Sequence, residues 1–342
     1  MRILELFSGI GAISVAAKDD HEIACAIDIN RSARTVYLAN FSSPHQVQEI
    51  ASITDDQLKK FAADLWWMSP PCQPFTRRGL QRDLKDPRTV PLVRLIKAIQ
   101  SIRPLHVAIE NVIGFHDSQA FELLMQTLAR CDYKVATAEL CSSDFGLPNL
   151  RPRCFVAASQ VCEPKLQSAQ SNLAQPQTGT KRVGDFLDDA QGITPDQQSQ
   201  RWGSLAVDPK RIERYRNAIN VVTAEDQTTR CFTSAYGKSL VRSGSYLQTE
   251  SGYRRFSPKE QARLLGFPEQ FQLPETLSTR QLWKLLGNTA ASPARGKSSP
   301  LLESKINRRS LQSGKDSIEN PINALIDDTV GKPRAQITTE LT

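Results

Sequence analysis

A cysteine on a proline-rich segment is the clearest candidate for covalent chemistry in this sequence. Cys72 follows two prolines and is followed by Gln73 and Pro74. Because proline fixes φ, this segment would hold a nucleophile in one geometry at reduced entropic cost. The alternative is a buried and inert thiol, the commonest state of a free cysteine. The residue types alone leave both interpretations open.

A carboxylate is predicted to lie beside this thiol. Cys72 follows the predicted strand Asp64–Met68, and Glu110 follows the predicted strand Leu105–Ile109. The carboxyl ends of parallel strands meet at one edge of a sheet, where open α/β sheets bind ligands. One thiol and one carboxylate at that edge suit covalent attack on a ring that also needs protonation at nitrogen. A glutamate that only caps or forms a salt bridge is the alternative.

A glycine-containing turn follows the first predicted strand. Glycines there allow a ligand to approach the backbone closely at a helix N-terminus. Asp28 ends the second predicted strand, where an acidic residue typically receives the hydroxyls of a ribose. Ser14 replaces the third glycine of a dinucleotide fingerprint, which disfavours NAD, and an ordinary α/β turn remains open. The residues of the turn are Phe7, Ser8, Gly9, Ile10 and Gly11.

Two arginines lie at the start of another predicted strand. Arg151 and Arg153 are separated by Pro152 and lead into the strand Arg153–Ala158. Alternation along a strand can direct both side chains to one face. A solvated basic pair is the alternative.

The elements that must position these residues form an α/β pattern over residues 1–160. Strands alternate with helices, which predicts a parallel sheet covered on both faces. The other predicted strands are Arg2–Phe7, Glu22–Ile29 and Lys134–Leu140. Ile13–Ala17 is predicted to open the first helix. The other predicted helices are Arg31–Asn40, Leu92–Ile102 and Phe121–Cys131.

The alternation of strands and helices ends near residue 160, where the amino-acid composition changes. Gln167–Thr180 is rich in Gln, Ser, Pro and Thr and is typical of a linker. A compact pattern returns where Ser257 predicts an N-cap, Pro258 a first helical residue and Glu260 its capping-box partner. A last helix is predicted over Thr279–Leu286. Residues 296–342 carry little apolar content and predict a disordered tail.

Composition excludes several classes of protein. The chain has 342 residues, 39% of them apolar, and no apolar run reaches the roughly 20 residues that span a bilayer. It opens directly on an apolar strand, which argues against a signal peptide. Seven cysteines without a C-x-x-C pair disfavour a disulfide framework or a zinc site. We therefore expect a cytoplasmic protein with reduced thiols, no metal and no membrane association.

The formal net charge of +7 is distributed unevenly. Pro71–Pro104 has eight basic and two acidic residues, and Arg201–Phe256 has ten basic and five acidic residues. Met1–Pro70 has six basic and nine acidic residues, and Leu105–Leu150 has two basic and six acidic residues. The two basic segments are therefore the parts that we expect to face a phosphate backbone.

The order of these motifs resembles that of the cytosine-5 methyltransferases, and most closely the branch that methylates tRNA. The shared motifs are Phe7–Gly11, Pro70-Pro71-Cys72-Gln73, Glu110-Asn111-Val112, Arg151-Pro152-Arg153 and Leu286-Gly287-Asn288. The matches to the tRNA branch are Pro74-Phe75-Thr76-Arg77, Cys231-Phe232-Thr233, Tyr236-Gly237, Phe256–Glu260 and Leu264–Pro268. The order spans about 290 residues, which makes coincidence negligible.

The resemblance implies a Rossmann-like, S-adenosylmethionine-dependent methyltransferase fold with a small inserted target-recognition domain. Residues 1–160, completed by 256–295, would form the catalytic domain, and residues 161–255 the recognition domain. The implied cofactor contacts are Phe7, Ser8, Gly9, Ile10, Gly11, Asp28, Ile29, Pro70 and Asn288. The implied catalytic residues are Cys72, Glu110, Arg151 and Arg153. The implied substrate contacts are Arg77, Arg78, Cys231, Phe232, Thr233 and Tyr236.

The implied reaction is methylation of carbon 5 of cytosine in a tRNA anticodon loop. Cys72 would add to carbon 6, Glu110 would bond the ring nitrogen and exocyclic amine, and Arg153 would contact the base carbonyl. Arg151 would support the loop and the thiolate, and both arginines would lower the pKa of the thiol. Cys231 is either a second functional thiol or a structural one. We expect a monomer.

Three other functions are compatible with parts of this sequence, and the segment after Asn288 departs from the family pattern. A DNA cytosine-5 methyltransferase would share every catalytic residue. A nucleic-acid-binding protein without catalysis is a second alternative, because Thr289–Pro293 is a poor start for the apolar helix that ends the family pattern. An NAD oxidoreductase would explain the glycine turn but neither Cys72 nor Glu110.

Overall fold

A seven-stranded mixed sheet forms the larger part of the fold. The computed structural model describes residues 1–17, 21–76, 82–164, 166, 181–188 and 202–289. The first eight strands are β1 (Arg2–Leu6), β2 (Glu22–Asp28), β3 (His45–Val47), β4 (Leu65–Met68), β5 (His106–Asn111), β6 (Lys134–Cys141), β7 (Asn149–Leu150) and β8 (Pro152–Ser159). All but β7 belong to this sheet, in the order β3-β2-β1-β4-β5-β8-β6.

The direction of β8 corrects the predicted all-parallel sheet. β8 pairs antiparallel with both β5 and β6, whereas the other neighbouring strands are parallel. The chain between Cys141 and Pro152 is too short for a crossover connection, which needs a dozen or more residues. The first residues of β8 therefore lie at the same sheet edge as the last residues of β5, with Cys154 opposite Asn111.

Helices cover both faces of this sheet, as the alternating pattern predicts. They are α1 (Ala12–Ala17), α2 (Arg31–Asn40), α3 (Asp55–Lys60), α4 (Val90–Ile102) and α5 (Gln119–Arg130). One core contains Met68 and Ile109 with Leu95 of α4 and Leu124 of α5. The core of the opposite face contains Trp67. Both faces are thus buried, as a largely parallel sheet requires.

A second, four-stranded sheet is built from the later part of the chain. Its strands are β9 (Ala206–Val207), β10 (Asn220–Val222), β12 (Ser245–Thr249) and β13 (Gly252–Arg254), in the order β10-β12-β13-β9. A separate ribbon pairs β7 with β11 (Thr229–Arg230). Three further α-helices in the described part of the chain are α6 (Pro209–Arg214), α7 (Pro258–Leu264) and α8 (Thr279–Asn288). The core beside this sheet contains Phe232, Tyr236, Tyr246, Phe256 and Trp283.

The predicted start of α7 is confirmed. The Ser257 side chain accepts a hydrogen bond from the Glu260 amide, and the Glu260 carboxylate accepts one from the Ser257 amide. Leu282 and Leu286 of α8 pack in one cluster with Val36 of α2, so the chain returns to the larger sheet after the second one. The predicted linker 167–180 and tail 296–342 lie outside the described residues. Within the described residues, no helix is long and apolar enough to cross a membrane.

A buried carboxyl group beneath α1 gives the fold a testable pH dependence. Glu5 accepts hydrogen bonds from Ser14 Oγ at 2.6 Å and from the Ile13 amide at 3.2 Å. Burial raises the pKa of Glu5 from 4.5 to about 8. Between these two values the folded state holds a proton that the unfolded chain releases, so the contribution of Glu5 to stability falls as pH rises.

We expect Glu5→Gln to remove this loss. The amide keeps a hydrogen-bonding group but carries no ionisable proton, so the melting temperature of the variant should rise relative to wild type between pH 5 and 8. Thermal unfolding of both proteins across that range measures the difference. The matched change of the exposed Glu122 to Gln should give a constant difference, and a constant difference for Glu5→Gln would contradict the prediction.

Candidate active site

The loop that carries Cys72 is held rigidly at the carboxyl end of β4. Cys72 precedes one turn of 3-10 helix, and its carbonyl accepts a hydrogen bond from the Phe75 amide at 3.0 Å. Asn111 of β5 is buried and donates its side-chain amide to the Pro70 carbonyl at 3.0 Å. This hydrogen bond ties the cysteine loop to the neighbouring strand. Asn111 belongs to the Glu110-Asn111-Val112 motif, but the sequence alone predicts no hydrogen bond from it to the cysteine loop.

Glu110 and Arg153 meet at the same edge of the sheet. Arg153 Nε lies 3.0 Å from Glu110 Oε1, and both side chains are largely buried. The antiparallel direction of β8 makes this ion pair possible, because it brings the first residues of β8 to the end of β5. The sequence predicted that all three of Cys72, Glu110 and Arg153 belong to one site, and the structure places them at one sheet edge.

Burial and the two arginines act in opposite directions on the pKa of Cys72. Burial raises the pKa of the Cys72 thiol, and the positive charges of Arg153 and Arg151 offset only part of this effect. The carboxylate of Glu110 acts in the same direction as burial. The predicted effect of the two arginines, to lower the pKa of the thiol, is therefore present, but desolvation of the thiolate outweighs it and the net pKa is raised.

The second thiol of this edge behaves in the opposite way. Arg151 Nη1 lies 3.1 Å from Cys231 Sγ, and Arg153 Nη2 lies 4.0 Å from it. Burial disfavours the Cys231 thiolate, but these direct contacts outweigh burial and lower the pKa of Cys231. The two arginines thus lie on one side, as strand alternation predicts, and both contact Cys231.

Arg151 connects two distant parts of the chain. Besides Cys231, its guanidinium donates to the Phe232 carbonyl at 3.2 Å and to the Thr289 carbonyl after α8. Arg151 is predicted to support the loop and the thiolate. Its charge favours the Cys72 thiolate, and its hydrogen bonds hold the Cys231 segment and the end of α8.

The glycine turn follows β1 at the same edge of the sheet. Gly9 has a φ of +54°, and its amide donates to Asp28 Oδ2 at 2.8 Å. The other carboxylate oxygen accepts from the Asn30 amide at 2.7 Å, which fixes the orientation of Asp28. Burial raises the pKa of Asp28, and these backbone donors oppose the rise. Ile29 follows with 62% of its surface exposed.

The side chains within this turn point in different directions. Ser8 Oγ lies 3.3 Å from His45 Nε2, and Ile10 is buried in the core. These two residues can therefore face a ligand only through their backbone. Phe7 occupies the left-handed region with a φ of +57°, a strained conformation of the kind that functional turns hold.

Comparison with known proteins identifies the family. Residues 1–295 match the family of C-5 cytosine-specific DNA methylases. This chain belongs to the C-5 cytosine methyltransferase family. A tRNA (cytosine(38)-C(5))-methyltransferase of Schizosaccharomyces pombe is 31% identical over 314 residues, which cover 84% of this chain and 92% of the relative. A DNA (cytosine-5)-methyltransferase of Dictyostelium discoideum is 30% identical over 84% of this chain and 90% of its own.

A solved structure agrees with this assignment. The crystal structure of the S. pombe Dnmt2 methyltransferase superposes with a TM-score of 0.74 at 29% identity, covering 86% of this chain and 95% of that one. The α/β fold of this methyltransferase, predicted from its sequence, is therefore confirmed.

Two predicted substrate contacts of the methyltransferase lie in its core instead. Phe232 is 0% and Tyr236 is 1% exposed, and their rings pack edge to face with centroids 5.2 Å apart. The Tyr236 hydroxyl donates to the Ser245 carbonyl at 2.8 Å and accepts from the Phe256 amide at 3.1 Å. Both side chains stabilise the second sheet and leave no surface for a substrate. Thr233 is half-buried, and Arg77 and Arg78 lie outside the described residues.

A glycine of α8 lets this helix approach the Cys231 segment. A Cβ atom on Gly287 would lie 2.2 Å from the Thr233 carbonyl carbon and 2.3 Å from the Ser234 amide nitrogen. Only glycine fits such a contact with backbone. Gly287 belongs to a motif of the sequence analysis, but the backbone that it approaches, at Thr233 and Ser234, lies far away in the chain. The residues around Gly287 could therefore not predict this contact. Asn288 is exposed beside it, as the last residue of α8.

We expect Gly287→Ala to displace the Cys231 segment from α8. The added methyl group cannot be accommodated without a backbone shift, so the melting temperature should fall by several degrees, which corresponds to about 1–3 kcal/mol. Gly203→Ala is the matched control, because a Cβ there meets nothing within 4 Å. Equal melting temperatures for Gly287→Ala and wild type would show that the contact is not tight.

The pKa of Cys72 can be measured through its alkylation rate. Arg153→Gln removes the largest charge that favours the thiolate, so the alkylation profile of Cys72 with pH should move to higher pH, by about one unit. Mass spectrometry of the Cys72 peptide after timed iodoacetamide treatment measures this profile. Arg130→Gln, on the exposed face of α5, should leave it unchanged. An unchanged profile in Arg153→Gln would refute the electrostatic coupling.

Proposed function

We propose that this chain transfers a methyl group from S-adenosylmethionine to carbon 5 of a cytosine in a tRNA anticodon loop, through a covalent bond from Cys72. The observation that carries the proposal is the convergence of Cys72, Glu110 and Arg153 at one sheet edge, with Glu110 and Arg153 paired at 3.0 Å. A nucleophile, a hydrogen-bonding carboxyl group and a cation are the groups that addition to a cytosine ring requires.

The glycine turn fits the cofactor. A Cβ placed on Gly9 would meet nothing within 4 Å, so there is room for a ligand against this backbone. The oriented carboxylate of Asp28 would accept the ribose hydroxyls, and the exposed side chain of Ile29 would cover the adenine. Pro70 and Asn288 would complete the pocket. When bound, S-adenosylmethionine supplies an electrophilic methyl group.

The chemistry begins at Cys72. Its thiolate adds to carbon 6 of the cytosine, and the electron pair of the ring double bond moves to make carbon 5 nucleophilic. The Glu110 carboxyl group would donate a proton to the ring nitrogen as negative charge develops there and would accept a hydrogen bond from the exocyclic amine, while Arg153 would contact the base carbonyl. Carbon 5 would take the methyl group of the sulfonium, whose sulfur would keep the bonding electron pair and leave as a neutral thioether, and carbon 5 would then lose its proton to a base. The carbon–sulfur bond breaks, and Cys72 leaves as thiolate.

The raised pKa of Cys72 has a consequence for this step. Most of the cysteine is a neutral thiol near pH 7, and only the thiolate can add to carbon 6. The positive charges of Arg153 and Arg151 oppose part of the rise that burial causes. The addition step should therefore become faster as pH rises towards the pKa of Cys72.

The relatives support tRNA as the substrate. The S. pombe relative is a tRNA (cytosine(38)-C(5))-methyltransferase and matches 84% of this chain. A target in a loop is already unpaired, so moving it into a pocket costs less than extrusion from a duplex. We expect Cys231 and Thr233, on the segment held by Arg151, to lie near the target. Arg77 and Arg78 would contact phosphates.

DNA is the second candidate substrate. The D. discoideum relative is a DNA (cytosine-5)-methyltransferase at 30% identity, and the catalytic edge suits cytosine in either nucleic acid. Transfer of labelled methyl groups to tRNA and to duplex DNA decides between them. Labelling of tRNA alone supports the proposal, and labelling of DNA alone overturns it.

We infer that the active form is a monomer in the cytoplasm. All residues of the catalytic edge and of the glycine turn come from one chain, so a second copy is not needed to complete the site. Sedimentation of the purified protein, alone and with tRNA, tests this inference. A mass of two chains with full activity only in that form would overturn it.

Cys72→Ala should abolish methyl transfer while tRNA binding stays within about twofold, because only the carbon–sulfur bond is lost. A tRNA with 5-fluorocytosine at the target should trap a covalent complex with wild type, since the fluorine cannot leave as a proton does. Cys72→Ala should form no such complex. Cys162→Ala, a half-buried thiol after β8, is the matched control and should react like wild type. Turnover by Cys72→Ala would refute the covalent mechanism.

A further inference from the structure

Cys231 is held opposite Arg151 by the two-stranded ribbon of β7 and β11. Arg151 directly follows β7, and Cys231 directly follows β11. The two strands pair in parallel, so both residues leave the ribbon at the same end. The amide and the hydroxyl of Thr229 both donate to the Pro148 carbonyl, at 2.8 and 2.7 Å, which fixes the ribbon. The backbone therefore holds the Cys231 thiol beside the arginine.

Arg151 needs a compensating charge at this position. Only 3% of the residue is exposed, and a buried cation is costly unless it is paired and hydrogen-bonded. In the described part of the chain, Arg151 forms no ion pair with a carboxylate. Its Nη1 lies 3.1 Å from Cys231 Sγ, and its other acceptors are the neutral Phe232 and Thr289 carbonyls. A thiolate at Cys231 would supply the charge that no carboxylate provides there.

The same thiol contacts Arg153, the arginine of the catalytic edge. Arg153 Nε lies 3.0 Å from Glu110 Oε1, and Arg153 Nη1 donates to the Pro152 carbonyl at 2.8 Å. The third nitrogen, Nη2, lies 4.0 Å from Cys231 Sγ. Each nitrogen of this guanidinium thus has a separate partner, and Cys231 is one of the three groups that fix its plane.

The surroundings of Cys231 favour its ionised form. Burial raises the pKa of the thiol, but the charges and hydrogen bonds of the two arginines outweigh burial and lower it below its ordinary value. A protonated thiol would donate to the Phe232 carbonyl at 3.5 Å, an acceptor that Arg151 already contacts at 3.2 Å. The thiolate is therefore the form that this position stabilises.

An anion at Cys231 matters most when Glu110 is ready to react. Glu110 must hold a proton to donate it to the ring nitrogen of cytosine, and it then carries no charge to pair with Arg153. Cys231 remains as the anion in contact with Arg153 in that state. The guanidinium therefore keeps one charged partner when the base arrives.

We propose that Cys231 is a positioning residue that acts as a thiolate: it holds the guanidinium groups of Arg151 and Arg153 and keeps Arg153 beside Glu110, where the carbonyl of the target base binds. The role rests on the proposed function, because there Arg153 serves a cytosine ring. Cys231 forms no bond to the substrate. Its charge also opposes ionisation of Cys72, since the same two arginines act on both thiols.

The ionisation of Cys231 is measured without substrate. The ultraviolet thiolate absorbance of wild type minus that of Cys231→Ser should show a thiolate at pH 7 that is lost as the pH is lowered. Cys141→Ser is the matched control, because Cys141 is also half-buried and its thiol faces the Asn149 carbonyl at 4.0 Å. This control should give no thiolate difference at pH 7. Absence of a thiolate at Cys231 would overturn the proposal.

The charge of Cys231 can also be detected at Cys72. Cys231→Ser removes a negative charge that shares both arginines with Cys72, so the alkylation profile of Cys72 should move to lower pH, by about half a pH unit. This direction is opposite to the one expected for Arg153→Gln. A merely structural thiol would leave the profile unmoved, because serine carries no charge and fills nearly the same space. An unmoved profile would therefore overturn the charged role.

Rates of methyl transfer test the positioning of Arg153. Cys231→Ser and Cys231→Ala should lower kcat about tenfold, while the KM for the nucleic acid changes less than about threefold. Cys231→Asp restores a negative charge and should recover most of the rate, and Cys141→Ser should react like wild type. Melting temperatures show that each variant is folded. A wild-type rate for Cys231→Ser, or equal rates for Cys231→Ser and Cys231→Asp, would overturn the positioning role.

Failure of the proposed function gives a different pattern. If wild type methylates duplex DNA and not tRNA, the tRNA proposal fails, but the absorbance and the alkylation profile keep their expected outcomes because neither uses a substrate. The rates of the Cys231 variants are then compared on the duplex. A loss in Cys231→Ser that Cys231→Asp recovers supports the positioning role there, and equal rates of these two variants overturn it.

Discussion

The buried guanidinium of Arg151 is the interaction on which the candidate site depends. A buried charge is costly unless it is hydrogen-bonded, and the two terminal nitrogens of Arg151 meet this condition with partners that are distant in sequence: Cys231, the Phe232 carbonyl and the Thr289 carbonyl. These contacts join the larger sheet, the segment after β11 and the end of α8. Arg151 therefore helps to fix the relative position of the three segments, and the absence of a side chain at Gly287 lets α8 approach the segment after Cys231.

The strand pattern was enough to predict that Cys72 and Glu110 share an edge of the sheet, but it could not predict the direction of β8. Cys72 and Glu110 follow parallel strands, so the rule that carboxyl ends share an edge was enough to bring them together. Arg153 begins its strand, and in the predicted all-parallel sheet it would lie at the opposite edge. Its ion pair with Glu110 requires the antiparallel pairing of β8. Local patterns gave the strand itself, but its direction follows from the short connection after β6.

Motif resemblance failed where the role of a side chain depends on its burial. Cys231, Phe232 and Thr233 were predicted as a set of substrate contacts, yet Phe232 packs in a core with Phe256 while Cys231 faces two arginines. Adjacent residues on an extended segment point to opposite sides, so one motif can serve both a core and a site. The partners that decide which side is buried come from α8 and the second sheet, and the sequence of the motif does not contain them.

The two thiols at this edge show why distance and burial must be weighed together. Arg151 and Arg153 influence both, yet the pKa of Cys72 is raised and the pKa of Cys231 is lowered. Cys231 receives direct contacts from both guanidinium groups, whereas Cys72 receives only their longer-range charge and also the opposing charge of Glu110. A cation that touches a thiolate outweighs its desolvation, but one that acts from further away does not. The predicted effect of the two arginines on the Cys72 thiol is therefore present, but the net direction of the pKa shift depends on burial, which the sequence does not contain.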